Sequence, residues 1–324
     1  MPSLEITRTS QPFTKQSVKR INVLLMIKKT IYIGNPARLS LDHGQMVIER
    51  PEEKARNTVP VEDTGILILD HAQTSLTHGL MEALIENNAA VLMCNDKHMP
   101  HGLVLPMDVH STFSENLKHQ ISSSEPLKKQ LWKQTIEAKI GNQIGVLKQC
   151  GKRSSRMEYL FKNVQSGDKT NTEGQAAALY WKIIFDDVEN FTRGRFDMPP
   201  NNLLNYGYAI LRSVIARNLV GSGMLPALGI HHRNKYNAFC LADDIMEPYR
   251  PYVDRLVLDI IKEPGFECTE ELTKELKVKL LQIPVLDVTI AGMSSPLMVA
   301  AQRTTASLMR CFEGESRKIM YPEL

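Results

Sequence analysis

The chain has 324 residues, 43% of them hydrophobic and 23% charged, which suits one large or two smaller globular domains with a sizeable core. Its net charge of +3 is too small to require or exclude a nucleic-acid partner, so any such surface must be a local basic cluster. The five cysteines form no CxxC pair, which argues against structural zinc and disulfides and suits a reducing compartment. No apolar run is long enough to span a bilayer, so we expect no membrane association.

Residues 1–25 are polar and basic, and they lack both a signal-peptide core and a small-residue cleavage site. We predict that they form a disordered tail or lie upstream of a second start at Met26. The segment that Met26 opens, MIKKTIYIGN, has the pattern of the first strand of a folded domain.

Residues 26–105 have the pattern of a small β-rich domain. Short apolar or alternating runs are separated by Gly, Asn, Asp and Pro: TIYIGN, ARLSLD, QMVIER, NTVPVED and GILILD. Residues 75–87 have helical spacing, with Ser75 as the predicted N-cap. Residues 89–94 predict a buried strand, and HGLVLP predicts a further short one.

Residues 106–324 have the sequence pattern of a larger all-α domain. Helical periodicity covers most of this part, in segments 114–122, 125–149, 154–165, 173–187, 201–221, 243–262, 269–282 and 294–311. The apolar segment 201–220 predicts its central helix. The fold class is therefore α+β, with a β-rich part followed by a helical part.

The segment GIHHRNKYNAFCLADDIMEPYRP, residues 229–251, concentrates histidines and acids. Asp243 can cap a helix, and its neighbours can be solvated first-turn acids, because acidic residues favour helix N-termini. Alternatively, Asp244 and Glu247 lie three residues apart, share a helical face and can bind one divalent ion. Pro248 predicts a break in the helix at this point.

His231 and His232 precede these acids in a predicted loop. A loop histidine so close to an acidic turn can fold back onto it. Histidine combined with carboxylates suits Mn²⁺ or Mg²⁺ better than structural zinc. Only one of two adjacent side chains is expected to point into such a site, and the pattern does not decide which.

Glu173 opens a helical pattern in GDKTNTEGQAAALYW, with Thr170 or Thr172 as the predicted N-cap. It is either a first-turn acid favoured by the helix dipole or a third metal ligand.

Basic residues lie upstream of Glu173 and again beside Glu247. Lys152, Arg153 and Arg156 form either a solvated face or a DNA-phosphate surface. Arg250 is either a structural partner of Glu247 or a phosphate clamp.

In this order, the motifs EGQAAALYW, NNLLNYGYAIL and GIHH…LADDIMEPYRP resemble the CRISPR-associated endonuclease/integrase family that acquires new spacers, and most closely its type II members. The resemblance extends from Met26 to Leu324. It implies a metal site made of Glu173, His232 and the pair Asp244 and Glu247. Because histidine and aspartate each occur twice in a row, the family's ligand could also fall on the neighbouring residue, so His231 and Asp243 remain alternates.

The resemblance also implies an activity and its partners. Mg²⁺ or Mn²⁺ would be the cofactor, and the 3′-hydroxyl of a short incoming DNA duplex would attack a phosphodiester in a repeat array. A homodimer in the prokaryotic cytoplasm, with dimer and partner contacts through the N-terminal domain, would act with a small partner protein in antiviral defence. Two alternatives are a DNA-binding scaffold, whose acids only cap helices, and a phosphohydrolase for small substrates, which no Gly-rich nucleotide loop supports.

Overall fold

The computed structural model of the protein describes residues 28–107, 110–189, 191–194, 199–263 and 271–324. The predicted tail of residues 1–25 lies outside these ranges. Strands dominate up to Val104 and helices dominate from Phe113 onwards, which confirms the predicted α+β class. Among the described residues, no helix is both long and apolar enough to cross a membrane.

The N-terminal region, residues 28–107, contains two four-stranded sheets. The first has the order β1 (Lys29–Ile33), β5 (Thr64–Leu69), β7 (Ala90–Cys94) and β8 (Pro100–Val104), and its first three strands are parallel. The second has the order β4 (Ala55–Pro60), β3 (Gln45–Arg50), β2 (Ala37–Asp42) and β6 (Thr74–Leu76). All the predicted strands are therefore present.

Helix α1 (His78–Glu86) packs between these strands and begins three residues later than Ser75, the predicted cap. Ser75 belongs to β6, where it pairs with Arg38 of β2, so its backbone is extended and committed to a sheet. Thr77 is the N-cap instead, and its side chain accepts the N–H of Leu80 at 3.4 Å. The prediction for Ser75 is wrong because the short strand β6 was not recognised.

The C-terminal region, residues 110–324, contains nine described α-helices. They are α2 (Phe113–Ser122), α3 (Glu125–Gln149), α4 (Ser155–Lys162), α5 (Thr172–Ile184), α6 (Asn201–Gly221), α7 (Cys240–Met246), α8 (Arg250–Ile261), α9 (Lys274–Leu280) and α10 (Leu297–Phe312). Helix α6 is buried along most of its length, which places it at the centre of the region as predicted.

This region is not entirely helical, which corrects the all-α description. Strands β9 (Asp287–Ile290), β10 (Met293–Pro296) and β11 (Pro322–Glu323) form a small antiparallel sheet in the order β10-β9-β11. Ala291 and Gly292 join β9 to β10 with φ values of 51° and 72°, as a two-residue hairpin turn requires. The helix predicted from residue 294 begins only at Leu297 because the preceding residues pair with β9.

Strand β5 joins the two regions, because its side chains alternate between two cores. Leu67 packs with Leu39 and Leu80 in the core of the N-terminal region. Ile66 and Ile68 point the other way and pack in the large core that contains helix α6. A cleft opens along this junction, and the order of strands and helices fixes which side chains reach it.

Candidate functional site

A cleft of about 1890 Å³ lies between the β7–β8 connection of the N-terminal region and helices of the C-terminal region. Glu173 and Glu247, both predicted as site residues, line it. Arg250 lines it as well, together with Arg193 and Arg212 of the helical part. The cleft therefore combines two carboxylates with several cations.

Local capping places Glu173 at the start of α5. Asn171, in the left-handed conformation with φ of 51°, is the N-cap and accepts the N–H of Gly174. The carboxylate of Asp168 accepts the N–H groups of Thr172 and Glu173 at 2.7 and 3.0 Å. The predicted threonine caps are wrong, because asparagine tolerates this backbone conformation and a β-branched residue does not. The Glu173 side chain makes no capping bond and faces the cleft.

Glu247 lies in a break between two helices. A 3₁₀ turn, Glu247–Tyr249, separates α7 from α8, so the helix is interrupted at Pro248 as predicted. Oε1 of Glu247 forms an ion pair with Nε of Arg250 at 2.9 Å, and Oε2 lies 2.6 Å from Nζ of Lys139. Burial alone would raise the pKa of Glu247, but the charges of Arg250 and Lys139 lower it overall.

Lys139 of α3 connects the two glutamates and was not recognised from the sequence. The residue is only 7% exposed, and Nζ donates a short hydrogen bond to Oε1 of Glu173 while contacting Glu247. Burial would lower the pKa of Lys139, but both glutamates raise it, so the ammonium stays charged. A signal was present: Thr135, Lys139 and Gln143 are polar residues at i, i+4 and i+8 that share a buried face of α3.

His232 is oriented by Asp244, which is fully buried. Nδ1 of His232 lies 2.5 Å from Oδ1 of Asp244, and Oδ2 accepts the backbone N–H of His231 at 2.9 Å. The bond to Asp244 raises the pKa of His232. A Cβ at Gly229 would lie 2.8 Å from Oδ2 of Asp244, so this close approach requires glycine.

His231 points elsewhere. Its ring stacks on Trp132 of α3, with centroids 4.1 Å apart and planes within 1°. Burial lowers the pKa of His231. Neither histidine lines the cleft, and among the described residues no three His, Cys, Asp or Glu side chains are grouped closely enough to hold a metal ion. The two glutamates therefore meet, while His232 and Asp244 form a separate pair nearby.

Asp243, the alternate for Asp244, is not a helix cap. Helix α7 begins at Cys240, and its N-cap residue, Phe239, makes no side-chain bond. Oδ1 of Asp243 accepts Nε of Arg212 at 2.7 Å, and Oδ2 accepts the amide of Asn237 at 2.7 Å. Asp243 therefore ties α6 to the loop before α7.

The predicted DNA-binding residues do not lie together. Nζ of Lys152 donates to the main-chain oxygens of Ile183 and Ile184 at the C-terminal end of α5, at 2.8 and 3.2 Å. Arg153 is exposed, and the Arg156 guanidinium lies over the ring of Tyr159. None of the three lines the cleft, whereas Arg250 does.

Comparison with known proteins places this arrangement in a family. The family model "CRISPR associated protein Cas1" matches residues 31–281. The CRISPR-associated endonuclease Cas1 of Neisseria meningitidis serogroup C (strain 8013) is 35% identical over 302 residues, which is 92% of this chain and 97% of the relative.

Two solved structures share the fold at low sequence identity. A casposase bound to an integration product has a TM-score of 0.76 and 19% identity, covering 90% of this chain and 92% of its own. A Cas6-RT-Cas1–Cas2 complex has a TM-score of 0.72 and 20% identity, covering 98% of this chain and 38% of its own. Because the family model and the Neisseria relative both span most of its length, the chain belongs to the Cas1 family of CRISPR-associated proteins.

Proposed function

We propose that this protein is a DNA endonuclease and integrase that inserts short DNA duplexes into a CRISPR repeat array and so serves antiviral defence. The observation that carries the proposal is the convergence of Glu173 and Glu247 on Nζ of Lys139 in an open cleft. The Neisseria relative is named an endonuclease, and the casposase with the same fold was solved with an integration product. Both names agree with DNA cleavage and joining at this cleft.

The two glutamates fit a hard divalent cation such as Mg²⁺ or Mn²⁺. Their oxygens both contact one ammonium group, so they already converge on a point that holds positive charge. Oε2 of Glu247 is buried and lies 2.6 Å from Nζ of Lys139, so a metal ion would take the position that the ammonium now holds. When bound there, such an ion lowers the pKa of the attacking oxygen and stabilises the charge that develops on the phosphate.

His232, oriented by Asp244, would accept the proton of the attacking 3′-hydroxyl. If Nδ1 carries the proton and donates a hydrogen bond to Oδ1 of Asp244, Nε2 remains as the basic nitrogen that can accept a proton or bind a ligand. Asp244 uses its oxygens for His232 and for two backbone N–H groups, so we propose that it orients the histidine. His231 stacks on Trp132, Asp243 pairs with Arg212 and Asn237, and both remain alternates.

The main role of Arg250 would be to position the carboxylate of Glu247. Its guanidinium pairs with Glu247 and lies 4.6 Å from the ring centroid of Tyr208, which restricts its movement. DNA backbone phosphates would be bound at the mouth of the cleft, and salt would weaken this binding steeply.

We propose that the working assembly is a homodimer that binds double-stranded DNA together with a small partner protein. The Cas6-RT-Cas1–Cas2 complex supports the partner protein, because a chain within it has this fold over almost the whole length of the present protein. The homodimer remains a prediction. Partner contacts through the N-terminal region remain a prediction.

Strand transfer tests the proposal. The protein, its partner, a short duplex with free 3′ ends and Mn²⁺ or Mg²⁺ should join the duplex to a supercoiled repeat plasmid. EDTA or Glu173→Ala should abolish joining, whereas Glu158→Ala, which removes an acid paired with Lys148 on the surface, should not. A scaffold protein would instead bind DNA equally well in EDTA and leave the strands intact, and that result would reject the proposal.

A further inference from the structure

A second cavity, of about 460 Å³, lies on the opposite end of helix α6 and shares no lining residue with the cleft. It opens where the C-terminal end of α1 meets the C-terminal end of α6 and one side of α10. Its lining includes two cations, Lys28 and Arg217, and four side-chain amides, those of Asn88, Asn116, Asn218 and Gln302. Glu313 is the acid among the lining residues.

Arg217 is the unusual group in this cavity. It is only 7% exposed, and Nε donates a short hydrogen bond to the main-chain oxygen of Asn88. Two other cations are buried among the described residues, and each has a carboxylate partner: Lys139 contacts Glu247 at 2.6 Å, and Lys277 contacts Asp70 at 2.8 Å. No described carboxylate forms an ion pair with Arg217, although a buried charge is costly without a partner.

A second cation increases the local positive charge. Nζ of Lys28 donates to the main-chain oxygen of Asn87 at 2.6 Å, next to the carbonyl that Arg217 uses. The carbonyls at a helix C-terminus carry about half a negative charge, so they balance only part of the two positive charges. The charges of Asp63 and Glu62 act on Lys28 but are not among the causes that shift the pKa of Arg217. The terminal guanidinium nitrogens of Arg217 also have no hydrogen-bond acceptor among the described residues.

We propose that this cavity binds a small phosphorylated anion, with Arg217 and Lys28 supplying the charge. The planar guanidinium suits phosphate oxygens, and the exposed side-chain amide of Gln302 offers a neutral donor at the rim. The volume falls within the range of small-ligand sites, about 300–1,000 Å³, so it admits a mononucleotide. The phosphate could belong to a free nucleotide or to the 5′ end of a DNA strand, and the chemistry of recognition is the same.

Thermal unfolding of the full chain tests this site. Inorganic phosphate or AMP, compared with chloride at equal ionic strength, should raise the melting temperature in a saturable way. Lys28→Met should weaken the affinity about tenfold or more, because it removes one charged donor. Gln302→Glu, an exposed change that adds a negative charge at the rim, should abolish the effect, while Arg303→Gln on the same helix should leave it unchanged.

A comparison of duplexes then separates the two sources of phosphate. Tighter binding of a 5′-phosphorylated duplex than of its 5′-hydroxyl form, lost in Gln302→Glu, assigns the anion to DNA. Saturable AMP binding without that preference assigns it to a free nucleotide. The proposal is overturned if phosphate, AMP and the phosphorylated duplex all leave the wild-type protein unchanged, or if Lys28→Met and Gln302→Glu bind like wild type.

Discussion

Two clusters of buried charge, one across the junction between the regions and one within the C-terminal region, are built in opposite ways. In the first, the Asp70 cluster, one carboxylate accepts from three side chains: Tyr32 at 2.5 Å, Lys277 at 2.8 Å and His98 at 3.0 Å. In the second, the Lys139 cluster, one ammonium serves two carboxylates, Glu173 and Glu247. The Asp70 cluster therefore brings three side-chain donors to one carboxylate, whereas the Lys139 cluster brings two carboxylates to one ammonium, with Arg250 as a second cation on Glu247.

This difference separates a structural cluster from a functional one. The carboxylate of Asp70 has its oxygens satisfied and joins the N-terminal region to α9, so its role is to hold the fold together. The two carboxylates of the Lys139 cluster converge on one point beside an open cleft, which is the arrangement a divalent cation requires. The number of carboxylates that share one cation, rather than burial alone, distinguishes the two clusters.

The largest effect is expected for Glu247→Gln. The amide keeps the shape of the side chain but loses the charge that would hold a cation, so strand transfer should fall by about 100-fold or more. Joining of a labelled duplex to a repeat plasmid measures this, with circular dichroism as a check that the variant is folded. Wild-type joining by a folded Glu247→Gln protein would contradict the assignment of the Lys139 cluster as the functional one.

Asp70→Asn should have the opposite profile. Removing the charge leaves Lys277 buried without a counter-ion, which should lower the free energy of unfolding by about 3–5 kcal/mol. Denaturant unfolding measures the loss, and strand transfer per folded molecule should stay near wild type. The matched control, Asp63→Asn, breaks the exposed pair with Lys29 and should cost no more than about 1 kcal/mol. Lost activity in folded Asp70→Asn would end the distinction between the two clusters.

The same comparison of donors and acceptors separates the two histidines. The carboxylate of Asp244, like that of Asp70, accepts from three donors, so we expect it to orient His232 rather than to bind a cation. His232→Ala should therefore slow strand transfer by about 100-fold, as expected for loss of a general base. His231→Ala should mainly remove the stacking on Trp132, at about 1 kcal/mol of stability. The reverse order of activities would assign His231 as the functional histidine.

Asp254 lies between the two clusters in character, because it is a buried carboxylate whose close donors are neutral hydroxyls rather than a cation. Tyr208 donates a short bond to it, and burial raises the pKa of Asp254 to about 7. Because the folded pKa lies above the unfolded value, stability is highest at acidic pH and falls as the pH rises towards 7. The protein should lose about 2–3 kcal/mol of unfolding free energy between pH 5 and pH 8 from this group. Urea unfolding measures the slope, and Asp254→Asn should flatten it.

The sequence predicted elements whose signals are local and missed those that depend on distant contacts. The bounds of α3 and α6 agree with the predicted segments, because long helices of 25 and 21 residues carry more local signal than short elements do. The β9–β10 hairpin was missed because four-residue strands carry little pattern, and the β6 strand for the same reason. Lys139 was missed because a lysine in a helix is usually solvated, and its partner Glu173 lies 34 residues away.

The smallest effect is expected for Lys139→Met, which tests directly whether the two glutamates share one cation position. Without DNA, the ammonium holds the position between the glutamates and competes with any added cation. Replacing it with an apolar side chain of similar length leaves the two carboxylates repelling each other in a buried site. The variant should therefore be less stable in EDTA, regain stability with Mn²⁺ and bind Mn²⁺ about tenfold more tightly than wild type. Lys133→Met, which breaks an exposed pair with Glu137 on the same helix, should change none of these. Electron paramagnetic resonance of bound Mn²⁺ measures the affinity, and equal or weaker binding by Lys139→Met would show that the lysine does not occupy the cation position.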